Sequence, residues 1–283
     1  MIKIVTDSAC DIPEDLTQEY GIIKVPTHII WEGKDYLDSV TMTARDFYKH
    51  LTETDAIPTS SQPSAGEFRN AFERAMAQGA QEIICLTVSS ALSGTFQAAS
   101  NAAQVFGIPV QVVDTRAVSM QQGWQVLAAA RAARIGSSVH QILESIERVR
   151  QKVVLSVGLP SLSYLARSGR LGQAFKWIGS ISLSVRPLVA VNAESGKIEP
   201  TGVVRTQKAM IEKVYSYFKQ KIGDGLKLHV VVLHGAAAIE ANLLMERIRQ
   251  ELDPLELFVT STGPVLGAHT GPGTIGISGY YEE

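Results

Sequence analysis

The sequence predicts an α/β fold, with an N-terminal parallel-sheet α/β domain and a C-terminal α+β domain built on a mostly antiparallel sheet. Three observations predict it. The chain has 283 residues, enough for two modest domains. Its first half alternates short apolar runs with amphipathic ones, a βαβα order that calls for a parallel sheet covered by helices. Its second half mixes helical stretches with hairpin signals.

The elements follow in order. Ile2–Thr6 reads as a first strand. Asp11 and Glu14 stand three apart with Pro13 just inside and Gly21 closing, which is helix punctuation. HIIWEGKDYLD reads as a hairpin turning at Glu32-Gly33. Ser64 and Glu67 form a capping box, followed by a helical stripe of Phe68, Phe72, Ala75 and Met76. EIICLTV is a strand, then come a serine-rich loop and a helix. IPVQVVD is a strand and QVLAAARAARIG a helix. The alternation ends after VVLSVGLP, so the boundary is placed at residue 158, giving domains 1–158 and 159–283. Beyond it, YLARSGRLGQAFKWIGS reads as helix-turn-helix and PLVAVNAESGKIEPTGVV as a hairpin turning at Glu194–Lys197. Further helices near 206–220 and 236–251 alternate with KLHVVVLH and LELFVTS.

Composition narrows the class. A 45% hydrophobic and 19% charged chain is an ordinary globular protein that needs no metal or disulfide for stability. Cys10 and Cys85 lie far apart in no Cys/His cluster, which argues against a zinc site or disulfide framework and for a reduced, cytoplasmic setting. No apolar run approaches the ~18 residues of a membrane span. A net charge of −2 gives no global pull toward nucleic acid. The charge is unevenly spread, however. Residues 1–60 hold five Lys/Arg against eleven Asp/Glu, and residues 160–220 hold nine against three, so the second half is the one suited to an acidic or phosphorylated partner.

Several motifs fail on context. Gly271-Pro-Gly273-Thr-Ile-Gly276 matches GxGxxG formally, but a strand rather than a helix follows it, and Pro272 lacks an N–H. No GxxxxGK[ST] is present, so no ATP site is recognisable. His229 and His234 have no HExxH spacing. Ser93, Asp114 and His269 could compose a hydrolase triad, but Ala-Leu-Ser93-Gly-Thr lacks the first glycine of GxSxG. A serine hydrolase or acyltransferase using Ser93 and His269 therefore stands as the alternative reading. The loop SSALSGTFQAA, residues 89–99, sits between a strand and a helix and aims backbone N–H groups at one point. Gly94 admits a close ligand, and Ser93 or Thr95 offers a hydroxyl. As a plain helix cap the loop is equally well explained. The hydroxyl-rich stretch Pro58–Ser64, which also precedes a helix, offers it a counterpart across a small-anion site.

Taken together, Ile4-Val-Thr-Asp7-Ser8, Asp11-Ile-Pro13, SSQPSAGEF, SSALSGTFQAA, VVDTRAVS, SYLARSGRLG, VRTQKAM and GAHTGPGTIGI resemble, in this order and over nearly the whole chain, the DegV family of fatty-acid-binding proteins. The resemblance implies two domains with one long-chain fatty acid buried between them. It also implies a non-catalytic role, as the substrate-binding subunit that presents the carboxylate to a separate ATP-binding fatty acid kinase subunit, giving acyl phosphate for phospholipid synthesis. No cofactor and no metal are implied. Carried over by position, Ser60 and Ser93 hydrogen-bond the carboxylate, with Gly94 beside them. Threonine is usual where Ser60 stands, so Thr59 could share the role. Arg170 and His269 join the polar network around the carboxylate, and Arg205 matches a position that meets the kinase. In VVDTRAVSMQQGW, Gln121 and Gln122 replace the glycine-rich ending common in the family, and no site is drawn from it. A lipid-binding module without a kinase partner is the remaining alternative.

Overall fold

A computed structural model describes residues 1–167 and 185–282. The first strand, β1 (Ile2–Asp7), is followed by α1 (Glu14–Glu19) and β2 (Ile23–Val25). A small hairpin, β3 (His28–Trp31) and β4 (Lys34–Leu37), turns at Glu32-Gly33 as its sequence predicts. Then come α2 (Ala44–Leu51), the short β5 (Thr59–Ser61), α3 (Ala65–Ala77), β6 (Glu82–Thr87), α4 (Thr95–Gln104), β7 (Val110–Asp114), α5 (Met120–Arg134) and α6 (Val139–Lys152). The second half contains β8 (Val154–Gly158), α7 (Ser163–Arg167), β9 (Arg186–Val191), β10 (Ile198–Val204), α8 (Gln207–Ile222), β11 (Lys227–His234), α9 (Ala238–Leu252), β12 (Glu256–Ser261), α10 (Pro264–Thr270) and β13 (Ile275–Glu282).

These elements make an α/β molecule with two principal sheets. The first is parallel, in the order β2-β1-β6-β7. The second runs β10-β9-β8-β13-β11-β12 and is antiparallel except at the β11–β12 pair. A third, three-stranded sheet of order β4-β3-β5 hangs beside the first. The chain enters the second sheet at Val154, a few residues before position 158.

The layering follows from which faces are apolar. Phe68, Ala71, Phe72 and Ala75 of α3 and Ala98, Ala99 and Ala102 of α4 cover one face of the parallel sheet. Helix α5 lies against its other face and also against β13 of the second sheet. It is consequently buried all round from Met120 to Ala130, with the amides of Gln121, Gln122 and Gln125 donating to buried partners. On the far side of the second sheet, Met210, Val214 and Phe218 of α8 pack with Ala241, Leu244 and Ile248 of α9.

The capping box at Ser64–Glu67 is present and starts α3. Asp11 does not cap α1. That helix begins after Pro13, while Asp11 adopts a left-handed conformation (φ 52°) and reaches the second domain. Its carboxylate accepts from the Gly263 N–H at 2.8 Å and from Ser119 Oγ at 2.6 Å. A tertiary partner has claimed the acid that local spacing assigns to the helix. The GxGxxG match is a turn into the central strand β13, with Gly271 at φ 77° and Gly273 at φ 89°.

Candidate functional site

A cavity of about 640 Å³ lies between the two main sheets, within the roughly 300–1,000 Å³ typical of small-molecule sites. The loops after β1, β6 and β7 of the parallel sheet contribute Ala9, Val88 and Val118, so the cavity opens where such sheets usually bind ligands, beyond the carboxyl ends of the strands. The second sheet lines it with Leu155, Val157, Val189, Val191, Ile198 and Leu233. Branched aliphatic side chains are thus the largest group in the wall, and the polar groups are chiefly neutral hydroxyls.

Ser60 reaches this cavity through strand register. β5 pairs with β3, placing Ser60 opposite Ile29 and Thr59 opposite Ile30. Ile29 is fully buried and Ile30 is exposed, and paired residues share a face. Ser60 therefore faces inward, whereas Thr59 is exposed, donates to the Ile30 carbonyl at 3.4 Å and is absent from the cavity wall. Ser60 Oγ lies 2.8 Å from His269 Nε2 on α10. This hydrogen bond joins the two halves of the chain directly at the cavity.

Ser93 stands just before α4. Its hydroxyl shares a hydrogen bond with Thr95 Oγ1 at 2.8 Å and accepts from the Thr95 N–H at 3.3 Å. Ser93, Gly94 and Thr95 all line the cavity at the N-terminus of a ten-residue helix. Gly94 occupies the cap position, where a Cβ would overlap the Gln62 side-chain amide. Gln62 follows Ser60 by two residues, so this close approach brings the Ser60 strand and the Ser93 loop to one end of the cavity. Among the predicted residues, the structure thereby assembles Ser60, Ser93, Gly94 and His269 and leaves Thr59 outside.

The Ser93–His269 pairing of the hydrolase alternative is not formed. Ser93 is bonded to Thr95, and His269 takes Ser60 instead. Asp114 accepts from Ser90 Oγ and Ser90 N, away from His269. Arg170 lies outside the described residues. Arg205 is exposed between β10 and α8 and is not part of the cavity wall.

Sequence reasoning missed several polar lining groups, among them Thr262, Thr270 and Thr274 from the second half of the chain. Thr27 and Ser119 line the cavity with their hydroxyls turned to buried acids, Thr27 to Asp38 at 3.3 Å and Ser119 to Asp11 at 2.6 Å. Gln62 lies beside Gly94. Ser119 belongs to the motif from which no site was drawn, and its positive φ of 55° marks it as held by its surroundings. Behind this wall, burial pushes Asp38 up to about 6 and Asp11 up to about 7 despite their hydrogen bonds. Among the described residues no group of three or more His, Cys, Asp or Glu side chains could hold a metal ion, and no helix is long and apolar enough to cross a membrane.

A DegV domain-containing protein of Deinococcus radiodurans is 33% identical over 277 residues, covering 98% of this chain and 97% of its own. A solved structure described as "Fatty Acid Binding of a DegV family Protein from Thermus thermophilus" superposes with a TM-score of 0.90 at 31% identity, over 99% of each chain. Another, described as DegV, a fatty acid binding protein from Bacillus subtilis, gives a TM-score of 0.91 at 28% identity, again over 99% of each chain. The family model described as "Uncharacterised protein, DegV family" matches residues 1–282. With the motifs, the architecture and the whole-length match in agreement, the chain belongs to the DegV family.

Proposed function

We propose that this protein binds one long-chain fatty acid in the inter-sheet cavity and presents its carboxylate to a separate ATP-binding kinase subunit, which forms the acyl phosphate. The observation that carries the reading is the cavity itself: an acyl-sized, mostly apolar chamber whose wall includes Ser60, Ser93 and the first residue of α4. The fatty-acid-binding description of the Thermus and Bacillus structures supports it.

The chemistry is consistent. Each methylene removed from water contributes about 0.8 kcal/mol, so packing alone retains a long acyl chain and releases a short one. The carboxylate then needs hydrogen bonds to offset its lost hydration. Ser60 and Ser93 supply hydroxyl donors, and the first turn of α4 supplies N–H groups with a favourable dipole. Neutral donors satisfy the anion without tying it into an ion pair, leaving an oxygen able to attack phosphorus. His269 holds Ser60 in place and adds polar character to the same end. Exposed Arg205 is the residue assigned to the kinase contact.

Lipid extraction from purified protein, read by mass spectrometry, tests the first half. One long-chain acid per chain is expected, and Ser93→Ala weakens retention. Protein that is empty and takes up no acid when offered it overturns the reading. Co-purification with a kinase subunit, abolished by Arg205→Glu, tests the second half. Retained lipid with no such partner leaves a lipid-binding module.

A further inference from the structure

Ser60 Oγ and His269 Nε2 share one proton across 2.8 Å, at the polar end of an acyl-sized cavity. Where that proton sits decides what the pair can do. A bound carboxylate needs the Ser60 hydroxyl as a donor, so Nε2 must then carry a proton of its own and donate it to Ser60 Oγ. An uncharged ester or thioester makes no such demand. Neutral imidazole can then accept the Ser60 proton at Nε2, which is the nucleophile–base relation used in acyl transfer.

The surrounding groups add to that relation. Ser93 and the N–H groups of the first turn of α4 border the same end of the cavity, where negative charge on an acyl oxygen would develop. Gln62 packs on Gly94 and so ties the segment that carries Ser60 to the Ser93 loop, and both segments line the cavity. The aliphatic walls would align a long acyl chain with its reacting carbon at Ser60.

We propose that the Ser60–His269 pair hydrolyses long-chain acyl esters or thioesters, an activity that rests on the acyl-binding reading of the cavity. Ser60 Oγ bonds to the acyl carbon while its proton passes to His269 Nε2. The C–O or C–S bond breaks, and the departing alcohol or thiol takes that proton, leaving an acyl-Ser60 ester. Water then attacks the ester and gives a proton to Nε2. The bond to Ser60 breaks, Ser60 recovers the proton, and a fatty acid remains in the clamp. The product is the ligand that the cavity holds, so the reaction would load the protein from an activated acyl donor.

The test uses full-length delipidated protein and p-nitrophenyl decanoate. A burst of about one p-nitrophenol per chain is expected, with a decanoyl mass shift mapping to Ser60. Ser60→Ala should abolish the shift, and His269→Gln should slow the burst about 100-fold. Ser93→Ala should slow it by about 100-fold while the label stays on Ser60. Ser60→Cys keeps a nucleophile of similar size and should still be acylated, which separates lost chemistry from lost folding. Wild-type protein that binds decanoate yet gives neither burst nor acyl-Ser60 overturns the acyl-transfer proposal and leaves the carrier reading intact. Labelling elsewhere, or an unchanged rate in Ser60→Ala, overturns it equally. Protein that binds neither decanoate nor palmitate overturns the carrier reading instead.

Discussion

This molecule buries its own carboxylates in two ways. Near the cavity, Asp7, Asp11 and Asp38 are held by neutral donors. Asp7 accepts from the Val88 and Ala9 N–H groups and Gln122 Nε2, at 2.7, 3.0 and 3.3 Å. Asp38 accepts from the hydroxyls of Ser8, Thr27 and Ser39. At the opposite end of α5, Glu256 is held by a guanidinium and an imidazole: Arg131 donates to both oxygens at 2.8 Å, and His229 Nδ1 lies 2.6 Å away. The outcomes are opposite. Burial outweighs the neutral donors and pushes Asp7 and Asp38 up to about 6 and Asp11 up to about 7. At Glu256 burial also opposes ionisation, but the His229 hydrogen bond and the Arg131 charge outweigh it and hold the carboxyl below its ordinary value. Hydroxyls and amides thus secure a buried carboxylate while leaving it basic, whereas cations secure it and quench it. Among the described residues, the groups that line the candidate clamp, Ser60 and Ser93 with them, are of the first kind.

The largest effect expected from this contrast is at Asp7. Replacing it with alanine strands three buried donors, and the cost should be about 3 kcal/mol or more, read as a fall in the urea midpoint. Arg131→Met removes a stronger single interaction, but its side chain is 28% exposed and that of Glu256 21%, so water repairs part of the loss. It should cost about 1–2 kcal/mol. The reverse order would break the comparison, because the neutral network would then be the dispensable one.

The second effect is a slope with pH. Asp11 ordinarily ionises at 3.8 and here at about 7. Between those values the folded chain keeps a proton that the unfolded chain has released. Its contribution to stability is therefore greatest below 3.8, declines as pH rises, and levels off above about 7. The decline is at most about 1.4 kcal/mol per pH unit for one group. Glu256 acts oppositely, losing stability as pH falls below its unfolded value of 4.5. Asp11→Asn should flatten the fall of the urea midpoint across the window from 3.8 to about 7. Parallel profiles for the two proteins would show that the seam does not hold the proton.

The contrast also explains what could be read from the sequence. The alternating pattern, the turn at Glu32-Gly33 and the Ser64–Glu67 cap are local signals, and the structure contains each of them. The cavity's Ser93 and Gly94 were visible because strand, loop and helix are contiguous. The choice between Ser60 and Thr59 was not visible, since it depends on which residue of β5 opposes buried Ile29. Asp11 looked like a cap because its spacing is local, while its partners Ser119 and Gly263 lie 108 and 252 residues away. Thr27 carries no motif at all and enters the wall through its bond to Asp38.

The subtlest prediction concerns the ligand's own proton. If the clamp resembles the Asp38 environment, a fatty acid labelled with carbon-13 at its carboxyl should titrate higher when bound than when free in water. Asp38, held by three hydroxyls, sits near 6 for the same reason: burial costs the anion more than neutral donors return. Ser93→Lys would move the clamp toward the Glu256 arrangement and bring the bound acid's midpoint below the wild-type value. The same change should impair phosphoryl transfer even if the lipid stays bound, because a paired oxygen is a poorer nucleophile. A wild-type acid that titrates below its free value would mean that a cation governs the clamp, and the link between neutral donors and a reactive carboxylate would fail at the one site where it is needed.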